Sequence, residues 1–156
     1  MNREKYSNNE INNRAEELRL LHTCCSVSQK LSVISDRIEE KGSLNNTVAL
    51  YYSRIEALGR FLLMKADDEQ DNNTLYEKYK KESFDDIIKA LMKEFPEFFT
   101  EPNVKEAIDG IAALKSVRNY LVHEFGFMRV GMVSQVLENA EVVFNALKSI
   151  AVTKFS

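Results

Sequence analysis

Within the stretch VRNYLVHEFG, residues 117–126, three side chains could do chemistry together. His123, one of only two histidines in the chain, can take up or release a proton near neutral pH. Arg118 supplies a permanent cation on a planar fork of donors, suited to an anion. Asn119 stands four residues before His123, so on a helix the two share a face and the amide could fix the orientation of the imidazole.

The position of Arg118 is as informative as its type. At about 100° per residue, Ala107, Ile111, Leu114, Val117 and Leu121 fall on one helical face, and Arg118 lies inside the same sector. A guanidinium there must be paired, bound to an anion, or extended out along its stem, because burying it alone costs several kcal/mol. Glu56 or Asp109 could close a purely structural ion pair with it. His123 beside Glu124 could likewise be a cation suited to a helix C-terminus. Five residues of straight helix turn His123 about 140° away from Arg118. A shared site therefore requires the helix to bend or end near Gly126, or two subunits to bring their motifs together.

The elements that must carry these residues are helical. With 156 residues, 44% of them apolar, the chain can build one packed core, and five Gly, two Pro and no Trp leave few turns. A first helix is expected over about 10–40, with Leu20, Cys24, Val27, Leu31, Ile34 and Ile38 as a bundle seam ending near Lys41-Gly42. A second, about 47–66, opens after Asn45-Asn46 and buries Val48, Tyr51, Tyr52, Ile55, Leu58, Leu62 and Leu63. Residues 66–73, ADDEQDNN, read as a solvated loop, followed by a capping box from Thr74 to Glu77. A third region runs to about Glu94 with an interruption near Lys81-Glu82-Ser83. FPEFFTEP, between Pro96 and Pro102, is an aromatic connector, and Asn103 is placed as the cap of the fourth helix. Gly126 and Gly131 enclose a connector to a final helix that buries Val133, Val136, Leu137, Ala140, Val143, Leu147 and Ile150. The reading is all-α: one domain, 1–156, of about five helices in an up-and-down bundle, with residues 1–9 frayed.

Arg118, Asn119 and His123 in RNYLVHEFG resemble the signature of the HEPN superfamily, in which Arg, often followed by a polar residue, precedes His by four to six residues near the end of a bundle helix. Here the four are NYLV. The likeness is close over about ten residues and loose over the rest of the chain. It implies a HEPN-like bundle that pairs as a homodimer, with facing motifs forming a composite cleft that often acts as a metal-independent endoribonuclease. In that chemistry a 2′-hydroxyl attacks the adjacent phosphate. His123 would take the proton, Arg118 would meet the charge on the phosphorus oxygens, and Asn119 would orient imidazole or phosphate. Histidines from two subunits could divide the base and acid roles. The resemblance also implies a toxin or defence effector, with a partner nucleotidyltransferase or another antitoxin. In HepT-like toxins a tyrosine two residues after the histidine receives AMP from that partner. Here the position holds Phe125, which puts that form of control in doubt, although Tyr120 lies nearby.

Several other functions find no support in the sequence. There is no His or Cys pair at ligand spacing, no Gly-rich phosphate loop and no nucleophile elbow, so neither a metal nor a cofactor is expected. A net charge of −3 argues against broad binding to nucleic acid and suits a restricted RNA target, or recruitment by another protein. Without a leader-like or membrane-length apolar run, a cytoplasmic protein is expected. Cys24 and Cys25 diverge on a helix and read as reduced, half-buried thiols. The alternatives to an endoribonuclease are a non-catalytic HEPN-like module that binds a nucleotide or a protein, and a structural helical adaptor.

Overall fold

The computed structural model describes residues 5–32, 43–69, 71–123, 126 and 128–155, and all regular structure among them is helical. Helix α1, Asn8–Thr23, starts with a reciprocal cap in which the Ser7 hydroxyl accepts from the Glu10 amide at 3.0 Å while the Glu10 carboxylate accepts from the Ser7 amide at 3.2 Å. Its inward face is Ile11 and Ala15. Ser7 is preceded by Tyr6, whose amide donates to Gln135 Oε1 at 3.0 Å and whose carbonyl accepts from Gln135 Nε2. The end of the chain expected to fray is therefore anchored from Tyr6 onward, and residues 1–4 lie outside the described residues.

The stretch read as one helix to residue 40 is broken. Helix α1 stops at Thr23, and Ser26 and Gln29 exchange side-chain to amide bonds at 2.9 and 3.2 Å to start a new helical segment over 27–32. The expected seam is not core, because Leu20, Val27 and Leu31 are 65, 78 and 60% exposed. Ile34, Ile38 and Lys41-Gly42 lie outside the described residues. Cys24 is exposed and Cys25 half-buried in the turn between the two segments, and neither is in a disulfide.

Helix α2, Ser43–Ala66, already includes Asn45-Asn46, which were expected at its entry. Val48, Tyr52, Ile55, Leu62 and Leu63 are buried, with Tyr51 and Leu58 at the core edge. At Gly59 a Cβ would fall 2.8 Å from Ile87 Cγ2 and 2.9 Å from Leu91 Cδ1, so α2 and the helix across from it approach at a distance only glycine permits. That neighbour is α4, Phe84–Glu94, capped by Ser83 and burying Phe84, Ile87, Ile88 and Leu91. Between them α3, Asn72–Tyr79, is capped by Asp71 and not by Thr74. The Thr74 hydroxyl donates to the Asp71 carboxylate at 2.9 Å, and a full negative charge is the better cap for the dipole of the first turn.

A 3₁₀ turn, Pro96–Phe99, leads to α5, Pro102–Asp109. Proline at the first helical position places Glu101 at the cap and draws Asn103 inside the helix. Gly110 separates α5 from α6, Ile111–Arg118, and the last helix, α7, spans Val130–Phe155, so Gly131 is in its first turn. Helices α2, α6 and α7 contact one another, while α1 packs on α6, α4 on α2 and α5 on α7. Helix α6 is thus enclosed on several sides, with Ile111, Ala113, Leu114, Ser116 and Val117 buried. The structure agrees with an all-α fold. Among the described residues no helix is long and apolar enough to cross a membrane.

Candidate functional site

After Arg118 the chain does not continue as an α-helix. Residues Asn119–His123 form one turn of π-helix. Bonding from i to i+5 widens the turn so that residues five apart lie nearly above one another, which cancels the 140° separation of a straight α-helix. Arg118 Nη1 and His123 Nε2 consequently meet at 3.0 Å within one subunit. The bend required by the sequence is present, and it lies between the two residues, earlier than Gly126.

Two contacts hold the widened turn. Tyr120, 1% exposed, is the bulkiest of the fully buried side chains. A Cβ built on Gly126 would sit inside the Tyr120 ring, and the Gly126 amide donates to the Tyr120 carbonyl at 3.3 Å. The chain leaving the site can therefore fold back over the buried ring only with glycine at this position. Leu121 is buried beside it, whereas His123 is exposed at the open end of the turn.

Arg118 is held from below by rings. Its Cζ is 4.0 Å from the centroid of Tyr52 on α2, and Tyr52 in turn stacks on Phe84 of α4 with centroids 4.3 Å apart and planes 15° from parallel. Setting the cation over a ring that is itself stacked on a second ring holds the guanidinium in place. Its Nε is buried and has no hydrogen-bond partner among the described residues. The ion pair with Glu56 weighed from the sequence is not formed. Glu56 faces Arg60 at 3.9 Å, and Arg60 Nε also donates to the Tyr79 carbonyl at 3.1 Å. Asp109 is exposed at the end of α5 and makes no ion pair with Arg118 among the described residues. Among the described residues the cation on the core stripe thus meets an aromatic face and an imidazole nitrogen, and no carboxylate.

One turn earlier on α6, Lys115 Nζ lies 2.9 Å from Asp85 Oδ2. The hydrogen bond that Lys115 donates to Asp85 raises its ammonium above its ordinary range, against the opposing charge of Arg118. The lysine is therefore neutralised locally, which limits repulsion between two cations spaced i, i+3.

Asn119 is half-buried next to Arg118, but no hydrogen bond joins it to His123. The i, i+4 relation that would have paired them belongs to an α-helix, and the π turn replaces it with the i, i+5 pair of Arg118 and His123. Glu124 and Phe125 lie outside the described residues. Gly126 was expected as the place where the helix bends or ends, whereas Tyr52 and Lys115 were not expected at the site. Tyr52 falls on the apolar face of α2 like any core aromatic, and nothing in the spacing marks it.

Among the described residues, no three His, Cys, Asp or Glu side chains are grouped closely enough to hold a metal ion. Comparison with known proteins finds no matching family model, no matching curated protein and no matching solved structure.

Proposed function

We propose that this chain is a metal-independent endoribonuclease of HEPN type, acting as a homodimer in the cytoplasm as a toxin or defence effector. The observation that carries the reading is the 3.0 Å contact between Arg118 and His123, made by a cation that has no carboxylate partner among the described residues. A structural arginine is normally neutralised where it is half-buried. One with no counter-charge among the described residues, next to the exposed imidazole of His123, is suited to an anion that comes and goes.

His123 would take the proton of a 2′-hydroxyl as its oxygen attacks the adjacent phosphorus, and Arg118 would meet the charge on the non-bridging oxygens. The bond from phosphorus to the 5′-oxygen then breaks. That oxygen takes a proton from an acid, for which the His123 of a second subunit is the candidate, and a 2′,3′-cyclic phosphate remains. Asn119, which does not orient the imidazole, is left with a role at the phosphate. Leu20, Val27 and Leu31, exposed among the described residues, supply apolar surface that a second copy could cover. A nucleotidyltransferase antitoxin belongs to the same reading, with Phe125 in place of the acceptor tyrosine.

The test is cleavage of total and transfer RNA by the purified protein in EDTA, beside Arg118→Ala and His123→Ala, with folding and dimerisation checked for each. Cyclic phosphate ends from the wild type and none from either variant are expected. Folded dimers that bind RNA or a nucleotide without cutting it would leave the non-catalytic binding module, and substitutions that alter stability alone would leave the structural adaptor.

A further inference from the structure

The contact between Arg118 and His123 fixes a proton position. A guanidinium has only donors, so at 3.0 Å from Arg118 Nη1 the His123 Nε2 must present its lone pair, and the neutral ring carries its proton on Nδ1. Whether this holds depends on where Arg118 is kept. Its stem leaves an enclosed helix and its guanidinium lies on Tyr52, which is 8% exposed and stacked on Phe84. The buried Nε, without a hydrogen-bond partner among the described residues, exerts no polar pull on the group. The ring face is therefore the contact that locates it.

From this geometry we propose that Tyr52 is a positioning residue, which acts through Arg118 to hold His123 in the tautomer whose Nε2 accepts a proton. This inference rests on the endoribonuclease reading only for its catalytic consequence. When a phosphate draws the guanidinium toward its oxygens, a 2′-hydroxyl replaces Nη1 as donor to a lone pair that is already in place. A ring held in the other tautomer would have to exchange its proton first. The Tyr52 hydroxyl has no part in the effect; the face of the ring does.

The experiment reads the tautomer directly, by nitrogen NMR of the full-length protein labelled in its histidines, at a pH above imidazole titration, with the His123 signals assigned by their loss in His123→Gln. The wild type is expected to show protonated Nδ1 and unprotonated Nε2, and Tyr52→Phe to show the same. Tyr52→Leu, which fills the core without offering a face, is expected to lose that preference, as does Arg118→Met. Phe84→Leu, which leaves Tyr52 but removes the ring beneath it, should move in the same direction and serves if Tyr52→Leu does not fold. RNA cleavage should fall by about 10²-fold in Tyr52→Leu and stay near wild type in Tyr52→Phe, the scale of a mispositioned catalytic group. A wild type with its proton on Nε2, or a folded Tyr52→Leu with an unchanged tautomer, overturns the proposal. The two inferences fail separately. If the tautomers behave as expected but no RNA is cut, the positioning role stands and the endoribonuclease reading falls. If RNA is cut but the tautomer ignores Tyr52, the reverse holds.

Discussion

Two polar clusters in this protein are built from similar groups and are completed very differently. At the turn after α2, Asp67 accepts from Lys78 Nζ at 2.7 Å, from the Tyr79 hydroxyl at 2.6 Å, and its Oδ1 accepts from the Glu69 amide at 2.9 Å. Each charge there has its opposite within hydrogen-bond reach. At the end of α6, Arg118 has an imidazole and a ring face but no carboxylate among the described residues, and its buried Nε has no partner among them. The first arrangement ties a loop to a short helix. The second keeps a cation in place at some cost to the fold, which is reasonable only if something outside the chain makes up the difference. Completeness of pairing, more than residue type, separates a structural polar cluster from a candidate functional one.

The contrast is broken most severely by replacing Arg118 with an apolar side chain of similar length. Arg118→Met should abolish RNA cleavage, with a loss on the order of 10³-fold, since it removes the cation that meets the developing charge. It should not destabilise the protein, because an uncompensated polar group is exchanged for one that packs on Tyr52. Parallel cleavage assays and thermal melts check this, and a melting temperature well below wild type would reassign Arg118 to the structural class.

Gly126→Ala should act on both properties at once. The new methyl group competes for the volume of the buried Tyr120 ring, and overpacking of this kind costs roughly 1–3 kcal/mol. Urea unfolding measures that loss. Because the same contact closes the π turn, the separation of Arg118 from His123 should grow, and cleavage should fall with the stability. An alanine variant of wild-type stability would show that the turn closes in some other way.

The sequence made the helices legible more readily than their junctions. The apolar faces expected of α2 and α7 correspond to what the structure buries, with Tyr51, Leu58 and Leu137 at the edge of the core, and the interruption before Ser83 is where it was expected. Each boundary that moved did so for a local reason: a proline at the first position of α5, a carboxylate ahead of Thr74, a serine and glutamine pair at 26 and 29 that restarts the chain after the cysteines. The continuous apolar spacing from Leu20 to Ile38 hides that last break. The candidate site was half legible. Arg118 and His123 could be named from type and position, but their meeting depends on a change from α to π turns. No hydrophobic periodicity encodes that change, because it is set by the fit of Tyr120 against Gly126 in three dimensions. Tyr52 could not be found at all, since a ring that positions an arginine and a ring that fills a core occupy the same kind of place on a helix.

The smallest expected effect comes from the completed cluster. Hydrogen bonds from Lys78, Tyr79 and the Glu69 amide hold the Asp67 carboxyl well below the usual carboxylate range, and its bond to Asp67 raises the Lys78 ammonium. A carboxyl whose pKa is depressed on folding contributes stability that is fully present above its unfolded value, about 3.9, and is lost as the pH falls through the folded value. Asp67→Asn should therefore lower the melting temperature at pH 7 by no more than about 4 °C, as suits a solvent-screened pair. The gap should narrow as the medium is acidified below pH 4, because the wild type loses the same charge. Cleavage by the variant should equal that of the wild type. A gap that is constant with pH would mean that the amide disturbs packing at the turn, and a change in cleavage would mean that the two clusters are coupled through α2, which carries Tyr52 and ends at Ala66 beside Asp67.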